Sequence, residues 1–205
     1  MLIDKYKKEI VPALMKEFGY RNKMAVPKLE KVVLNIGTSK ALKDSKYFDV
    51  MMDTLSRITG QKPVNTIARK AISGFNVKSG MKVGLVVTLR KKKMFDFVEK
   101  LVKVALPRVR DFRGIPDTSL DKKGNIAIGF REHTVFPEIN PDEVEKVHGL
   151  EVCIKTTANT SKEGKRLLEL FGIPFRKGEK KKKKKRRFDS KKAQTKRTGV
   201  KELKE

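Results

Sequence analysis

The sequence is poor in the residues on which disulfides and metal sites depend. Its 205 residues include one cysteine and two histidines. The single cysteine, Cys153, excludes a disulfide framework and a cysteine-based zinc site within the chain. His133 and His148 have no companion ligands at a metal-binding spacing, which favours ordinary surface or loop histidines. We therefore expect no bound metal.

Long apolar runs are absent as well. No stretch approaches the ~18 apolar residues that a membrane span needs. Residues 1–6 carry charges inside any apolar stretch, so we expect no signal peptide. A single cysteine also suits a reducing compartment. These absences indicate a cytoplasmic protein without membrane contact.

Catalytic motifs are missing too. The sequence contains neither G-x-x-x-x-G-K-S/T nor G-x-G-x-x-G, and Gly164-Lys165-Arg166 follows a helix cap without a glycine loop. Cys153 lies in an alternating pattern, which favours a half-buried structural thiol over a nucleophile. We expect neither enzymatic activity nor a cofactor.

Positive charge is what the sequence has in excess. Lysine and arginine number 50 against 24 aspartates and glutamates, a formal net charge of +26. Residues 176–205 hold 16 of the basic and 4 of the acidic residues, so 34 basic and 20 acidic residues remain in the rest of the chain. Such a charge opposes compaction unless a polyanion neutralises it, and the common intracellular polyanion is nucleic acid. The charge predicts a nucleic-acid-binding protein.

Apolar periodicity predicts an α+β fold. Helical patterns cover residues 2–18, 47–58, 92–106 and 160–170, with Pro12 expected to kink or restart the first and Pro107 to end the third. Strand patterns cover residues 31–36, 83–90, 125–130 and 151–157, and residues 63–90 resemble a long hairpin with a basic tip. We predict an antiparallel sheet with helices packed on one face.

The other face of this sheet is a candidate RNA surface. It would carry Lys31, Asn35, Thr88 and Arg90, whose side chains can hydrogen-bond ribose and bases or neutralise phosphate. The alternative is an ordinary solvated sheet face. The tip, Ser73–Lys82, combines glycines, lysines and an aromatic ring, and the pattern alone does not separate a binding loop from a disordered hairpin end.

The end of the chain differs from the rest. We predict a folded domain over residues 1–177 and a disordered extension over residues 178–205, which cannot bury enough apolar surface to offset its ordering entropy. The extension would bind RNA non-specifically, although a solvated tail that aids solubility is the alternative. Its eight consecutive basic residues are Lys180, Lys181, Lys182, Lys183, Lys184, Lys185, Arg186 and Arg187.

Several ordered motifs resemble one protein family. They are KVVLNIG at 31–37, TGQKP at 59–63, TIARKAISGF at 66–75, VTLR at 87–90, RDFRG at 110–114, FPEI at 136–139, TTA at 156–158 and FGIPF at 171–175. The chain is similar, from about residue 2 to 176, to the universal large-subunit ribosomal protein five, which binds 5S rRNA, and to its bacterial branch. The basic tail is an addition to that pattern.

The resemblance implies an α+β fold and three contact regions. The sheet face would bind 5S rRNA through Lys31, Asn35, Gln61, Lys62, Thr66, Arg69, Lys70, Thr88 and Arg90. The tip would reach the elbow of peptidyl-site tRNA through Ser73, Gly74, Phe75, Asn76, Lys78, Ser79, Gly80 and Lys82. The loops at 108–114 and 136–141 would form an intersubunit bridge to a small-subunit head protein, through Arg110, Phe112 and Arg113.

The resemblance also implies 23S rRNA and neighbouring central-protuberance proteins as partners. Thr38-Ser39-Lys40 departs from the family pattern of a glycine and an acidic residue, which affects contacts made by that turn. Two rival functions remain: a general RNA chaperone acting through the tail, and an RNA-modifying enzyme, for which the sequence offers no catalytic constellation.

Overall fold

The computed structural model describes residues 2–38, 45–141, 144 and 146–176. A single five-stranded sheet with strand order β2-β3-β1-β5-β4 organises this part of the chain, and all neighbouring strands are antiparallel. The strands are β1 (Leu29–Gly37), β2 (Val64–Ile67), β3 (Lys82–Leu89), β4 (Ile126–Phe130) and β5 (Leu150–Thr156). The predicted hairpin over 63–90 is confirmed as the β2–β3 pair.

Helices cover one face of the sheet. The helices are α1 (residues 2–18), α2 (Ser45–Thr59), α3 (residues 91–108) and α4 (Ser161–Leu170). Val32, Leu34 and Ile36 of β1 are buried in one core cluster with residues of all four helices. The predicted α+β fold with helices on one face is therefore confirmed. No helix among the described residues is both long and apolar enough to cross a bilayer.

Each of the two proline-containing helices has a wider turn just before its proline. In α1, a π-helical turn over Tyr6–Ile10 separates the α-helical segments Leu2–Lys5 and Val11–Phe18, and Pro12 follows. In α3, a π-helical turn over Leu101–Ala105 joins Lys91–Lys100 to Leu106–Arg108, and Pro107 lies in that last turn.

The prediction that Pro107 ends its helix is wrong, because α3 continues to Arg108. In a regular helix the proline ring collides with the carbonyl four residues earlier and donates no hydrogen bond. The π-turn replaces that pattern with a longer-range bond, from the Leu106 N–H to the Leu101 oxygen. The chain therefore accommodates the proline without leaving the helix.

Short-range signals set the helix ends. Gly19 adopts φ +71° and its N–H donates to the Met15 oxygen, which closes α1. At α4, the Thr160 hydroxyl accepts from the Glu163 N–H and the Glu163 carboxylate accepts from the Asn159 N–H. These two bonds satisfy backbone N–H groups at the start of the helix, in a variant of the capping box that reaches Asn159 instead of Thr160.

Both histidines are buried, so the expectation of surface histidines was wrong, although His148 does lie in a loop. His133 is 2% and His148 is 7% exposed, and their rings stack in parallel with centroids 3.8 Å apart. The His148 N–H donates to Nδ1 of His133 at 3.3 Å. The pair ties the short helical turn His133–Val135 to the segment that leads into β5. Tertiary packing, which spacing does not reveal, brings the two rings together.

Candidate nucleic-acid interface

The open face of the sheet carries the polar row predicted from alternation. Lys31 and Asn35 of β1 are half-buried, whereas Thr88 and Arg90 beside them are exposed. Thr88 is the register partner of Val33, and Asn35 is the partner of Val86. Because residues two apart on a strand share a face, the structure brings these four side chains together on the face opposite the described helices.

A glycine joins the polar groups of three strands. Thr66 of β2 is the register partner of Gly84 in β3. A Cβ atom at Gly84 would lie 2.7 Å from Oγ1 of Thr66 and 3.9 Å from Oδ1 of Asn35. Only a residue without a side chain fits there, so Thr66 and Asn35 can approach each other across β3.

Positive charge collects at the other end of β1. Lys155 of β5 pairs with Glu30 at 3.0 Å. The pKa of Glu30 is lowered, mainly by the hydrogen bond from Lys155 and then by the charges of Lys155, Lys31 and Arg90. One carboxylate thus lies among three cations, which leaves an excess of positive charge beside the polar row.

The remaining predicted 5S rRNA residues lie around β2. Gln61 is half-buried, and its backbone N–H donates to Oγ1 of Thr59 at 3.3 Å, which fixes the turn after α2. Lys62, Arg69 and Lys70 are exposed. Lys62 precedes β2, and the other two follow it, so they flank the edge strand of the sheet.

The predicted tRNA-contacting tip is a hydrogen-bonded extension of the hairpin. Ile72 and Val77 exchange both backbone hydrogen bonds, at 2.8 and 3.2 Å, around the turn Ser73–Phe75. The Phe75 ring is 73% exposed at the end of this extension. The exposed tip residues are Ser73, Gly74, Asn76, Lys78, Ser79 and Gly80.

Lys82 lies apart from the tip. It is the first residue of β3, and its ammonium lies 5.4 Å from the centre of the Phe48 ring on α2. That cation–π contact holds Lys82 at the base of the hairpin. The structure therefore separates it from the other seven residues predicted to face tRNA.

The predicted bridge residues lie after α3. Arg110 and Arg113 are exposed, whereas Phe112 is half-buried against the core. Arg110 lines a shallow cleft with Arg108 and Arg131. In the second predicted loop, Phe136 is fully buried, so the loop at 136–141 contributes to the core as well as to the surface.

Other predicted features lie at or beyond the limits of the described residues. Lys180–Arg187 lie outside the described residues, as do Ser39 and Lys40 of the departing turn. Thr38 is described: it is 1% exposed, and its N–H donates to the Val83 oxygen at 3.1 Å.

Cys153 is half-buried on the open face, and burial, followed by the interaction with Glu151, raises the pKa of its thiol. The expected half-buried position of Cys153 is therefore confirmed.

Sequence reasoning did not single out one acidic group on the open face. Glu151 of β5 is exposed, with Asn35 of β1 and Gly129 of β4 as its register partners. The strand pattern alone could place Glu151 on one face of β5, but strand order was needed to place it beside Asn35. Gly129, an isolated glycine in a strand, was a signal of open space at this site.

Comparison with known proteins identifies the family. Residues 22–78 match the family described as ribosomal protein L5, and residues 82–175 match the C-terminal part of the same ribosomal family. The large ribosomal subunit protein uL5 of Caldanaerobacter subterraneus subsp. tengcongensis is 53% identical over 176 residues, covering 86% of this chain and 98% of the relative. The uL5 protein of Thermotoga maritima is 51% identical over 177 residues, covering 86% and 96%. The chain belongs to the ribosomal protein L5 family.

Proposed function

We propose that the chain binds 5S rRNA with the open face of its sheet and helps to anchor it in the central protuberance. The coarser function follows from the family: the chain is a structural, non-enzymatic protein of the large ribosomal subunit, which is cytoplasmic in bacteria. Ribosomal RNA and ribosomal proteins are its partners in that particle. The finer function is argued from the sheet.

The observation that supports 5S rRNA binding is the set of polar groups on adjacent strands. Asn35, Thr66 and Thr88 project from β1, β2 and β3, and Gly84 leaves room for the first two to approach. A rigid sheet holds these donors and acceptors in place before RNA arrives, so little ordering entropy is lost on binding. Such a surface fits the shallow minor groove or an internal loop of RNA.

Charge beside this row supplies affinity rather than selectivity. Lys31, Arg90 and Lys155 surround Glu30, so phosphates find a net positive site there. Phosphate contacts position a nucleic acid, whereas contacts to bases and ribose distinguish one sequence or shape from another. The polar row therefore determines preference for 5S rRNA, and the cations set the salt dependence.

Alanine substitution of the polar row tests this function. Asn35→Ala and Thr88→Ala should each weaken 5S rRNA binding by about 1–2 kcal/mol, the scale of a lost buried hydrogen bond. Thr118→Ala is a matched control, because Thr118 is exposed in the short helical turn Asp117–Ser119 and belongs to none of the strands that carry the polar row. Filter binding at several salt concentrations, with 5S rRNA and tRNA as ligands, gives both affinity and preference. Unchanged affinity in both sheet variants would contradict the sheet-face proposal.

The same family role extends the proposal to two further contacts. The tip carries Phe75 on a hydrogen-bonded arm, and an exposed ring of this kind can stack on a base at the elbow of peptidyl-site tRNA. Arg110 and Arg113 are exposed, and Arg110 lines a cleft together with Arg108, so these cations suit an acidic surface of a small-subunit head protein. Phe112 would support that loop from the core side.

We also propose the division into a folded domain over residues 1–177 and an RNA-binding extension over residues 178–205. The family matches reach no further than residue 175. The basic run of the extension, Lys180–Arg187, would contact 23S rRNA or 5S rRNA through its charge.

A further inference from the structure

A cleft opens on the sheet between the end of β1 and the start of β5. Its lining includes Asn35, Thr38, Gly129, Arg131, His148 and Glu151. Asn35, Glu151 and Gly129 are consecutive register partners across β1, β5 and β4. The cleft therefore continues the open face beyond the polar row of β1 to β3.

Missing side chains create the space in this cleft. A Cβ atom at Gly37 or at Gly129 would meet nothing within 4 Å, and neither residue has a left-handed backbone. A larger residue would fit both positions without strain, so the glycines are not required by the chain's own conformation. What they leave is open space in the cleft that Glu151 also lines, where the Glu151 carboxylate accepts a hydrogen bond from the Cys153 thiol.

The charge of Glu151 is opposite to that of the surface around it. The chain carries a net charge of +26, and Lys31, Arg90 and Lys155 lie on the same face. A carboxylate among RNA-binding cations repels phosphates, which lowers affinity unless it meets hydrogen-bond donors. In RNA, pairs of adjacent N–H donors occur on base edges, whereas the phosphate oxygens are acceptors.

Two buried polar atoms in residues of the cleft lack partners among the described residues. They are Oγ1 of Thr38 and Nε2 of His148, in side chains 1% and 7% exposed. Nδ1 of His148 lies 3.3 Å from the Gly149 oxygen, so Nδ1 holds the proton and Nε2 is an acceptor. Buried polar groups are normally hydrogen-bonded, so these two atoms mark a polar and incompletely satisfied layer beneath the cleft surface.

We propose that this cleft takes one unstacked guanine nucleotide of the RNA that the sheet binds. The carboxylate of Glu151 accepts the N1–H and N2–H donors of the base, the Asn35 amide donates to O6, and the exposed Arg131 neutralises the phosphate. Adenine and cytosine offer a carboxylate one amino group, and uracil places its N–H between two carbonyl oxygens. The inference rests on the proposed function and adds a base preference to it.

Removing the charge of Glu151 tests the proposal, because the proposal and simple electrostatics predict opposite changes in RNA affinity. On electrostatics alone, Glu151→Gln should strengthen RNA binding by the full-length chain, because the surface becomes more positive. If Glu151 receives the guanine donors, 5S rRNA affinity should instead fall about 5- to 10-fold. Glu132→Gln is the matched control, since Glu132 is exposed and lies outside the cleft. Equal or tighter binding by Glu151→Gln than by the control would overturn the proposal.

A second experiment tests the proposal by filling the cleft with a larger side chain. Gly129→Val should lower 5S rRNA affinity at least about 5-fold, whereas Ala127→Val, on the same strand and face, should leave it unchanged. Both changes add a β-branched residue to β4, so thermal melts should remain similar. The proposal requires losses in both Glu151→Gln and Gly129→Val; a loss in only one overturns it.

A set of pentanucleotides tests the base itself. Amide spectra of the full-length chain are recorded with UUGUU, UUAUU, UUCUU and UUUUU, and only UUGUU should shift the Gly129 and Glu151 signals. Equal shifts with all four would overturn the guanine assignment. If the unmodified chain shows no preference for 5S rRNA over tRNA, the proposed function fails. If that preference holds but the cleft variants behave like their controls, only this inference fails.

Discussion

At the scale of single residues, the histidine pair shows how burial sets chemistry. Burial, followed by the charge of His133, lowers the pKa of His148 to about 4, and burial lowers the pKa of His133 as well. Two stacked imidazoles 3.8 Å apart cannot both carry charge without strong repulsion. The pair is therefore neutral at physiological pH and packs as an aromatic unit under the start of β5.

The stability of the folded chain should depend on pH through this pair. The folded pKa of His148, about 4, lies below its ordinary value of 6.5, so the unfolded chain binds protons first as pH falls. The free energy of unfolding should be fully retained above pH 6.5 and fall by about 3 kcal/mol as the pH approaches 4. Urea denaturation at a series of pH values measures this.

His148→Phe separates the histidine from the carboxylates that titrate nearby. The phenyl ring keeps an aromatic partner for His133 but has no titratable group. Between pH 6.5 and about 4, its unfolding free energy should fall less than that of the unmodified chain. Parallel curves for the two proteins would show that His148 does not contribute.

The residue scale also shows what alternation can and cannot predict. Asn35 and Thr88 were assigned to one face because strand side chains alternate, and their structural neighbours confirm that placement. Glu151 belongs to the same surface, but this depends on β5 pairing with β1, a contact between residues far apart in sequence. Its RNA-facing role stays a proposal, as do the roles of Asn35 and Thr88.

At the scale of elements, close packing decides where local rules apply. Pro107 was predicted to end its helix, and the π-turn before it shows why the local rule failed. Gly164 is another case: it lies inside α4, where glycine is normally unfavourable. Its Cα is so close to the turn at Gly124 that a Cβ would lie 2.3 Å from the Gly124 Cα.

Gly164→Ala should therefore destabilise the fold although alanine is the better helix former. Helix propensity alone would add about 0.5–1 kcal/mol of stability. The collision with the Gly124 backbone should outweigh this and leave a net loss of about 1–3 kcal/mol. Gly129→Ala is the matched control, because its added Cβ meets nothing within 4 Å. Chemical denaturation of both variants measures the difference, and a stabilised Gly164→Ala would contradict the packing argument.

At the scale of the whole molecule, we propose that positive charge supplies affinity for RNA and that the sheet supplies preference. The fold class was predictable because each strand and helix carries a clear apolar period. Strand order was not, since it depends on which distant strands pair. The proposed division rests on where the two kinds of group lie. Polar groups lie on a rigid sheet, whereas positive charge is distributed over the chain.

Deleting residues 178–205 tests that division. The shortened chain loses many positive charges, so the slope of log affinity against log salt concentration should become shallower. Its preference for 5S rRNA over tRNA should remain, because the sheet is intact. Equal binding of both RNAs by the shortened chain would mean that the tail, and not the sheet, distinguishes 5S rRNA from tRNA.

The position of β1 in the middle of the sheet has a consequence for synthesis. β1 is made first, yet its two neighbours are β3 and β5, which follow it at residues 82–89 and 150–156. Because chains emerge from their amino end, the three strands that carry the proposed 5S rRNA face can assemble once residue 89 is out. One side of β1 then keeps its unpaired backbone groups until β5 arrives. A growing chain of this family thus displays its proposed RNA-facing half while the edge of β1 that will pair with β5 still has unpaired backbone groups, the kind of edge that can pair with other chains.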